Sequence, residues 1–305
     1  MSTVEKTGTE TTGHAAETTA LGAAAGYHPG RTLTLWVELR RQASRRRTQL
    51  ALGFMVLLPL IILLAFQLDR NNNNDNNGGG GDFSALADLA VQGGPNFTLF
   101  TLLVSAGFLL VVVVALFCGD TVASEASWGS LRYLLAVPVP RARLLGIKLI
   151  AALLYSLAAL VLLTGTALAV GTLRYGWEPL HAPVGGEIPA AQSVLRLLAI
   201  LGYLAVSLLV VASLAFLLSV STDAPLGAVG GAVLLQILSS ILNQITALGD
   251  LRNVLPTHYA DAWLGLLSTP LQTDDLVKGS VAALAYATLF FTLGWWRFLR
   301  KDVVS

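Results

Sequence analysis

Six long apolar stretches constrain this chain more than any other feature of its sequence. A helix needs about 20 predominantly apolar residues to cross a bilayer, and the stretches at 50–68, 97–117, 147–170, 194–218, 224–242 and 279–298 meet that need. Composition agrees, because only 12% of the 305 residues are charged, whereas a soluble domain carries about 25%. The sequence therefore predicts an all-α membrane protein with six transmembrane helices.

Basic residues are concentrated in segments that alternation places on one side of the membrane. These segments are Arg45-Arg46-Arg47, the loop between the second and third spans, and residues 297–301. The opposite side has longer loops that contain most of the acidic residues. Short basic loops remain cytoplasmic, so the chain is expected to be a multi-pass protein of the cytoplasmic (plasma) membrane with both termini in the cytoplasm.

The segment before the first span divides in two. Residues 1–30 are rich in Thr, Ala, Gly and Glu, which predicts a disordered tail, and residues 31–305 form the transmembrane domain. Between residues 31 and 47, a helical wheel places Thr34, Glu38, Arg41, Gln42 and Arg45 on one face. This pattern predicts an amphipathic helix in the membrane interface, with Arg45-Arg46-Arg47 at the lipid headgroups. A nucleic-acid-binding arm would leave the apolar face unused, so no nucleic-acid partner is expected.

The basic loop at 118–148 contains a short helical pattern of its own. Leu131, Leu134 and Leu135 are spaced three and four residues apart, which puts them on one face of a helix at 130–136. Trp128-Gly129 before it and the prolines at 138 and 140 after it would separate this helix from the spans. Two interpretations remain open: a docking site for a cytoplasmic partner, or a hairpin that merely joins two spans.

Three groups of residues, in this order, match a known pattern. The first group is Glu125, Gly129-Ser130-Leu131, Leu134-Leu135, Pro138, Arg141, Leu144-Leu145 and Lys148. The second is residues 255–259 followed by Trp263, and the third is residues 296–302. Together they resemble the permease subunits of ABC-2-type exporters over about residues 33–302. The Asn-rich and Gly-rich insertion at 70–82 is not part of that pattern.

The resemblance implies a function and a set of residues that perform it. In that family a coupling helix in the first cytoplasmic loop docks on a separate ABC ATPase subunit, which binds ATP and Mg²⁺, and two permeases work with two ATPases. The implied ATPase contacts are Glu125, Trp128, Gly129, Ser130, Leu131, Arg132, Leu134, Leu135 and Arg141. The second and fifth spans line the translocation path, which marks Phe108, Phe117, Gln236 and Asn243. A permease homodimer is expected, and no cofactor is expected in this chain.

The chain lacks the motifs of an enzyme that would supply its own energy or chemistry. It has no Walker A sequence, no HExxH and no GxSxG. Every Asp, Glu, Lys and Arg lies in a loop or near a span end, whereas an ion-driven carrier or intramembrane protease places ionisable groups within its spans. His258 and Asp261 are too few ligands for a metal site. The chain is therefore expected not to be an enzyme.

Two further patterns concern packing. Gly227 and Gly231 have the GxxxG spacing that lets a second helix approach closely, either within the chain or across a dimer. In the loop at 243–278, Tyr259, Trp263, Leu266 and Leu267 recur at helical spacing, which predicts a helix. The resemblance implies a re-entrant or surface helix that caps the outer mouth, and an ordinary amphipathic loop helix fits the pattern equally well. Cys118 is expected to be a small buried side chain. A non-transport membrane scaffold or immunity-type protein of the same fold remains the alternative to a permease.

Overall fold

The computed structural model describes residues 34–72, 82–127, 140–181 and 187–300, most of which are helical. The predicted tail, most of the Asn-rich and Gly-rich insertion, and residues 128–139 of the basic loop lie outside the described residues. The α-helices are α1 (Leu35–Ala43), α2 (Arg46–Asn72), α3 (Asp82–Ala90), α4 (Gly94–Ala106), α5 (Leu109–Gly119), α6 (Ala123–Ser127), α7 (Arg141–Tyr175), α8 (Ala190–Ser221), α9 (Pro225–Gln244) and α10 (Asp274–Arg300).

Two short β-strands and two 3₁₀ segments lie between the helices. Strands β1 (Leu180–His181) and β2 (Glu187–Ile188) pair antiparallel, with Leu180 opposite Ile188. The loop between α9 and α10 contains two 3₁₀ segments, Thr246–Val254 and Ala262–Leu267. The predicted loop helix is therefore 3₁₀ rather than α, and its Trp263 and Leu267 are buried against the bundle.

Five helices are long and apolar enough to cross a membrane, namely α2, α7, α8, α9 and α10. The second predicted span is the pair α4 and α5, which passes the same test together but bends by 58° at its break. Phe108 has φ −132° and ψ −57° at that break, outside the α-helical region, and Gly107 beside it has low helix propensity. The expectation of an all-α membrane protein is confirmed, whereas the second span is not one straight helix.

The core lies where α4, α5, α7 and α8 meet. Among its largest fully buried side chains are Leu102, Leu110, Leu160, Leu163 and Ile200. The helix α10 packs along α8, and α2 packs along α7. Large apolar side chains on the outer faces of these helices are exposed, such as Leu234 at 67%. A hydrocarbon environment would cover such faces, which agrees with a membrane-embedded bundle.

The bundle has two different ends. One contains α1, α6, the start of α7 and the last residues of α10, and Phe298 of α10 packs there with Val122 and Leu145. We call it the α1 end. The other contains the β1–β2 hairpin, the start of α4 and the two 3₁₀ segments, and we call it the hairpin end.

Gly119 of α5 approaches the backbone of α9 more closely than either glycine of the GxxxG pair approaches another helix backbone. A Cβ on Gly119 would lie 3.2 Å from the backbone nitrogen of Val229. A Cβ on Gly227 would meet only Ala224 and Thr222, at 3.6 and 3.9 Å, and one on Gly231 would meet only a methyl of Leu218. Gly231 therefore has a close neighbour within the chain, because a Cβ there would lie 3.1 Å from Leu218 of α8. A packing role for Gly227 stays a prediction that concerns a second copy of the chain.

Candidate functional site

A cluster of charged side chains is buried at the α1 end. Three cations converge on one oxygen, Oε1 of Glu125 in α6, which is 3% exposed. Arg41 donates to it at 2.8 Å, Arg45 at 3.3 Å and Lys148 at 3.1 Å. These donors come from α1, from the residue before α2, and from α7. One carboxylate therefore joins three parts of the chain that are distant in sequence.

Lys148 is the centre of this cluster because it pairs with two acids. Its Nζ also lies 3.4 Å from Oε1 of Glu38, and the two side chains are 5% and 1% exposed. Gln42 donates to the same Glu38 oxygen at 3.4 Å, and Tyr155 donates to the carbonyl of Leu39 at 2.6 Å. The inner face of α1 is thus attached to α7 by an ion pair and hydrogen bonds.

Asp120, between α5 and α6, completes the cluster. Its carboxylate accepts from Arg45 at 3.3 Å and also pairs with Arg47. Burial raises the pKa of Asp120 above its usual value, and the two arginines partly oppose that shift. Because buried charges are costly unless they are paired, this group of three acids and four cations depends on all of its contacts. We call Glu38, Arg41, Arg45, Arg47, Asp120, Glu125 and Lys148 the ion cluster.

Local structure explains why the acids point inward. Glu38 and Gln42 are four residues apart on α1, so they share the face that meets α7. The start of α6 is fixed by Ser219 of α8, whose Oγ accepts from the backbone N–H groups of Val122 and Ala123, each at 3.0 Å. This contact holds α6 against the bundle and directs Glu125 toward Lys148.

The ion cluster also corrects the predicted orientation of α1. A helix lying in the interface would present its polar face, which contains Glu38 and Gln42, to the headgroups, but both side chains are buried in the protein. Arg45 and Arg47, also expected at the headgroups, pair with Asp120. The apolar side chains of Trp36 and Val37 are exposed instead. The reason is electrostatic, since Lys148 requires an acidic partner and α1 supplies one.

The predicted ATPase contacts are divided between described and undescribed residues. Glu125, which the resemblance implies as an ATPase contact, is 3% exposed and is buried in the ion cluster. Arg141 is the first residue of α7 and is exposed. The remaining predicted contacts lie outside the described residues: Trp128, Gly129, Ser130, Leu131, Arg132, Leu134 and Leu135. The ion cluster flanks this loop, with Glu125 before it and Lys148 after it.

The predicted path residues are not all brought together. Gln236 and Asn243 line one cavity of about 130 Å³ between α5, α8, α9 and the stretch of loop between the two 3₁₀ segments. Phe117 is buried against Tyr155, with ring centroids 5.7 Å apart, and Phe108 is 59% exposed at the bend between α4 and α5. Other polar side chains at the cavity wall are Ser207, Ser240, Gln244, Thr257 and Asp261.

At the hairpin end, mostly neutral hydrogen bonds hold the loop between α9 and α10 against the helices. His258 and Asn243 are joined through Nδ1 and Oδ1 at 2.8 Å, so His258 makes a structural hydrogen bond to the end of α9. Arg196 of α8 donates to the carbonyls of Leu266 and Ser268 and so holds the second 3₁₀ segment. The loop thereby forms one wall of the cavity.

Asn96 fixes the β1–β2 hairpin to α4. Its side-chain amide donates to the carbonyl of Pro179 at 3.0 Å and accepts from the backbone N–H of His181 at 2.8 Å. Asn96 is 2% exposed and Thr98 is fully buried. Asn96, Phe97 and Thr98 also match the sequence motif of an N-glycosylation site, but the burial and hydrogen bonds of Asn96 give this residue a structural role instead.

Sequence reasoning did not identify Glu38 and Asp120 as site residues. Their positions in the sequence give a signal. Glu38 lies in the arginine-rich segment before the first span, and Asp120 lies in the basic loop after the second span. An acid in such a place has cations within reach, and burial makes the pairing obligatory. The partners themselves are not visible in the sequence, because they are as many as 110 residues apart.

A comparison with protein families gives one match. A family model described as a protein of unknown function (DUF2705) matches residues 60–304, from within α2 to beyond α10. No curated protein sequence matches the chain. Asp120, Glu125 and Lys148 of the ion cluster lie within the matched range, and α1 precedes it.

Proposed function

This chain belongs to the DUF2705 family of proteins of unknown function, and we propose that it is the permease subunit of an ATP-driven exporter. It would move a substrate across the plasma membrane using ATP hydrolysed by a separate ABC ATPase subunit. The α1 end would face the cytoplasm, as would both termini, and the bent pair of α4 and α5 would count as the second of six spans. The chain itself would carry no catalytic residue.

The observation that carries this proposal is the ion cluster at the base of the basic loop. Glu125 lies three residues before Trp128, Lys148 lies eight residues after Pro140, and their side chains are 3.1 Å apart. Since Glu38 of α1 pairs with the same lysine, a force applied to the loop would act on α1, α6 and α7 together. A passive linker needs no such attachment, whereas a loop that transmits movement from an ATPase does.

The outer face of α9 supports assembly as a dimer. Leu234, Leu238 and Ile241 recur on one helical face and are 67%, 51% and 56% exposed. Gly227 lies seven residues before Leu234, on the same face, and a Cβ there would be close only to its own turn. A second copy could approach α9 here, in the manner expected of GxxxG spacing. The cavity that contains Gln236 and Asn243 would then lie beside the interface.

Replacing one leucine of the loop tests the proposal. Leu134→Asp would place an unpaired charge in the desolvated contact with the ATPase, at a cost of about 2–5 kcal/mol. We expect the variant to insert and fold, to lose its ATPase partner on purification, and to lose export and the ATPase activity that depends on the permease. The matched control is Leu173→Asp at the opposite end of α7, where the leucine is 89% exposed.

The two variants also distinguish the alternative function. A membrane scaffold or immunity-type protein of the same fold would not depend on an ATPase contact at Leu134. If Leu134→Asp retains both the ATPase partner and full export, the loop is only a linker. If neither the parent nor Leu173→Asp has an ATPase partner, the permease proposal is wrong and the scaffold is favoured.

A further inference from the structure

The outer face of α1 combines an aromatic ring with arginines that the ion cluster does not use. Trp36 is 74% exposed and Val37 is 55% exposed. Arg40 follows Trp36 by four residues on the same face, and Arg46 begins α2 beside it; both arginines are exposed. Neither forms an ion pair with a described residue, in contrast to Arg41, Arg45 and Arg47.

A second aromatic and basic pair lies at the same end of the bundle. Trp296 of α10 is 54% exposed, and the guanidinium of Arg300 lies 4.3 Å from its ring centroid. Phe298, between them, packs against Val122 beside the ion cluster, which places the end of α10 at the α1 end. Two helices that are far apart in sequence thus present the same combination of residues at one level of the bundle.

From these two faces we infer that the α1 end binds the headgroups of anionic phospholipids. Tryptophan is enriched at the boundary between hydrocarbon and headgroups, and basic residues beside it attract anionic lipids. Trp36 and Trp296 lie at that boundary, while Arg40 and Arg46 contact lipid phosphates. The interaction needs no ATPase, so it is independent of the proposed transport function.

Charge complementarity distinguishes the two ends. At the hairpin end the described side chains on the exposed surface include the acids Asp250, Asp261, Asp274 and Asp275, which an anionic surface would repel. At the α1 end three acids are buried in the ion cluster and neutralised there by arginines and Lys148. Arg40, Arg46 and Arg300 are exposed at this end, whereas Asp223, in the turn between α8 and α9, is the one exposed acid among its described residues. The outward charge is therefore positive, which makes anionic lipid the fitting partner.

Lipid-selective quenching of tryptophan tests the inference on the full-length chain. The protein is reconstituted in phosphatidylcholine bilayers that contain a minor share of phosphatidylglycerol, with one or the other lipid brominated. The quenching of Trp36 alone is obtained as the difference in fluorescence quenching between the parent and Trp36→Phe. We expect brominated phosphatidylglycerol to quench Trp36 more than its mole fraction predicts. Arg40→Gln/Arg46→Gln should lower this preference about fivefold per arginine, since each contributes about 1 kcal/mol.

The control and the salt dependence decide the outcome. Lys278→Gln removes an exposed cation at the hairpin end, 62% exposed, and should leave the preference of Trp36 unchanged. Raising the salt from 0.1 M to 1 M shortens the Debye length from about 10 to about 3 Å and should abolish the preference of the parent for phosphatidylglycerol. This test uses only the parent protein, so it does not depend on whether the double variant folds. Quenching of Trp36 by each brominated lipid in proportion to its mole fraction in the parent, or an equal loss of preference in Lys278→Gln, would overturn the inference.

Discussion

The two ends of the bundle are held together by different chemistry. At the α1 end, seven charged side chains from α1, α2, α6, α7 and the α5–α6 turn form the ion cluster. At the hairpin end, Asn96, Arg196 and Tyr203 instead bond to backbone groups of the loops, with Tyr203 donating to the carbonyl of Tyr259 at 2.5 Å.

The difference predicts how each end responds to change. A buried ion pair that loses one partner leaves an uncompensated charge, which costs about 3–5 kcal/mol. A neutral hydrogen bond contributes about 0.5–1.5 kcal/mol and one from a charged donor such as Arg196 about 1.5–3 kcal/mol. A loop held by several such bonds can therefore lose a neutral one and stay in place. The α1 end should therefore behave as one unit, and the hairpin end as separable contacts.

The largest effect is expected at Lys148. Lys148→Met leaves Glu38 with Arg41, at 3.7 Å, as its one cation among the described residues and with the neutral donor Gln42. It should lower the free energy of unfolding by about 3–5 kcal/mol. Adding Glu38→Gln should recover part of that loss, because it removes the acid left without its closest partner. Denaturant titration in detergent micelles measures both. The control, Lys278→Met, breaks an exposed pair of 3.6 Å and should cost about 0–1 kcal/mol.

A smaller effect is expected at Asn96. Asn96→Ala removes both bonds to the hairpin and leaves the carbonyl of Pro179 and the N–H of His181 without this partner, at about 1–3 kcal/mol. Hydrogen exchange should show faster opening of residues 176–188 and unchanged protection of α1. The exposed Gln192, changed to Ala, is the control. If α1 loses protection as well, the two ends are not separable.

The fold was more predictable from sequence than the site. Five of the six predicted spans correspond to continuous helices, because long apolar runs such as that in α8 admit little else in a bilayer. The bend at Phe108 was not predicted, since neither Gly107 nor Phe108 forces one and it depends on packing of α4 and α5 against different neighbours. The orientation of α1 was wrong for a similar reason: hydropathy predicts a solvated polar face and cannot show that Lys148 is buried opposite it.

A third prediction separates contacts within the chain from contacts between copies. Gly119→Leu would force atoms against the backbone of Val229 and should destabilise the monomer by about 1–3 kcal/mol. Gly227→Leu has open space beyond its own turn and should leave monomer stability unchanged while weakening a dimer. Unfolding experiments and the mass of the purified particle measure the two effects. A Gly227→Leu protein with parental stability and parental mass would remove that glycine from any interface.

The smallest effect concerns the pH dependence of the α1 end. Because the pKa of Asp120 is raised in the folded protein, the folded state holds this proton more tightly than the unfolded state. Stability should therefore fall as the pH rises from 3.8 through the raised value. Asp120→Asn should have a shallower slope in this range, whereas the exposed Asp274→Asn should keep the parental slope. Identical slopes in all three proteins would mean that Asp120 is not desolvated.

Photo-crosslinking from Leu134 in the native membrane tests most directly whether the basic loop docks on an ATPase. A photoreactive amino acid is placed at Leu134, or at Leu173 as the control at the other end of α7, and the crosslinked proteins are identified by mass spectrometry. The account predicts that position 134 crosslinks to an ATP-binding subunit and position 173 does not. Adducts from position 134 only to lipid, or to this chain alone, would contradict it.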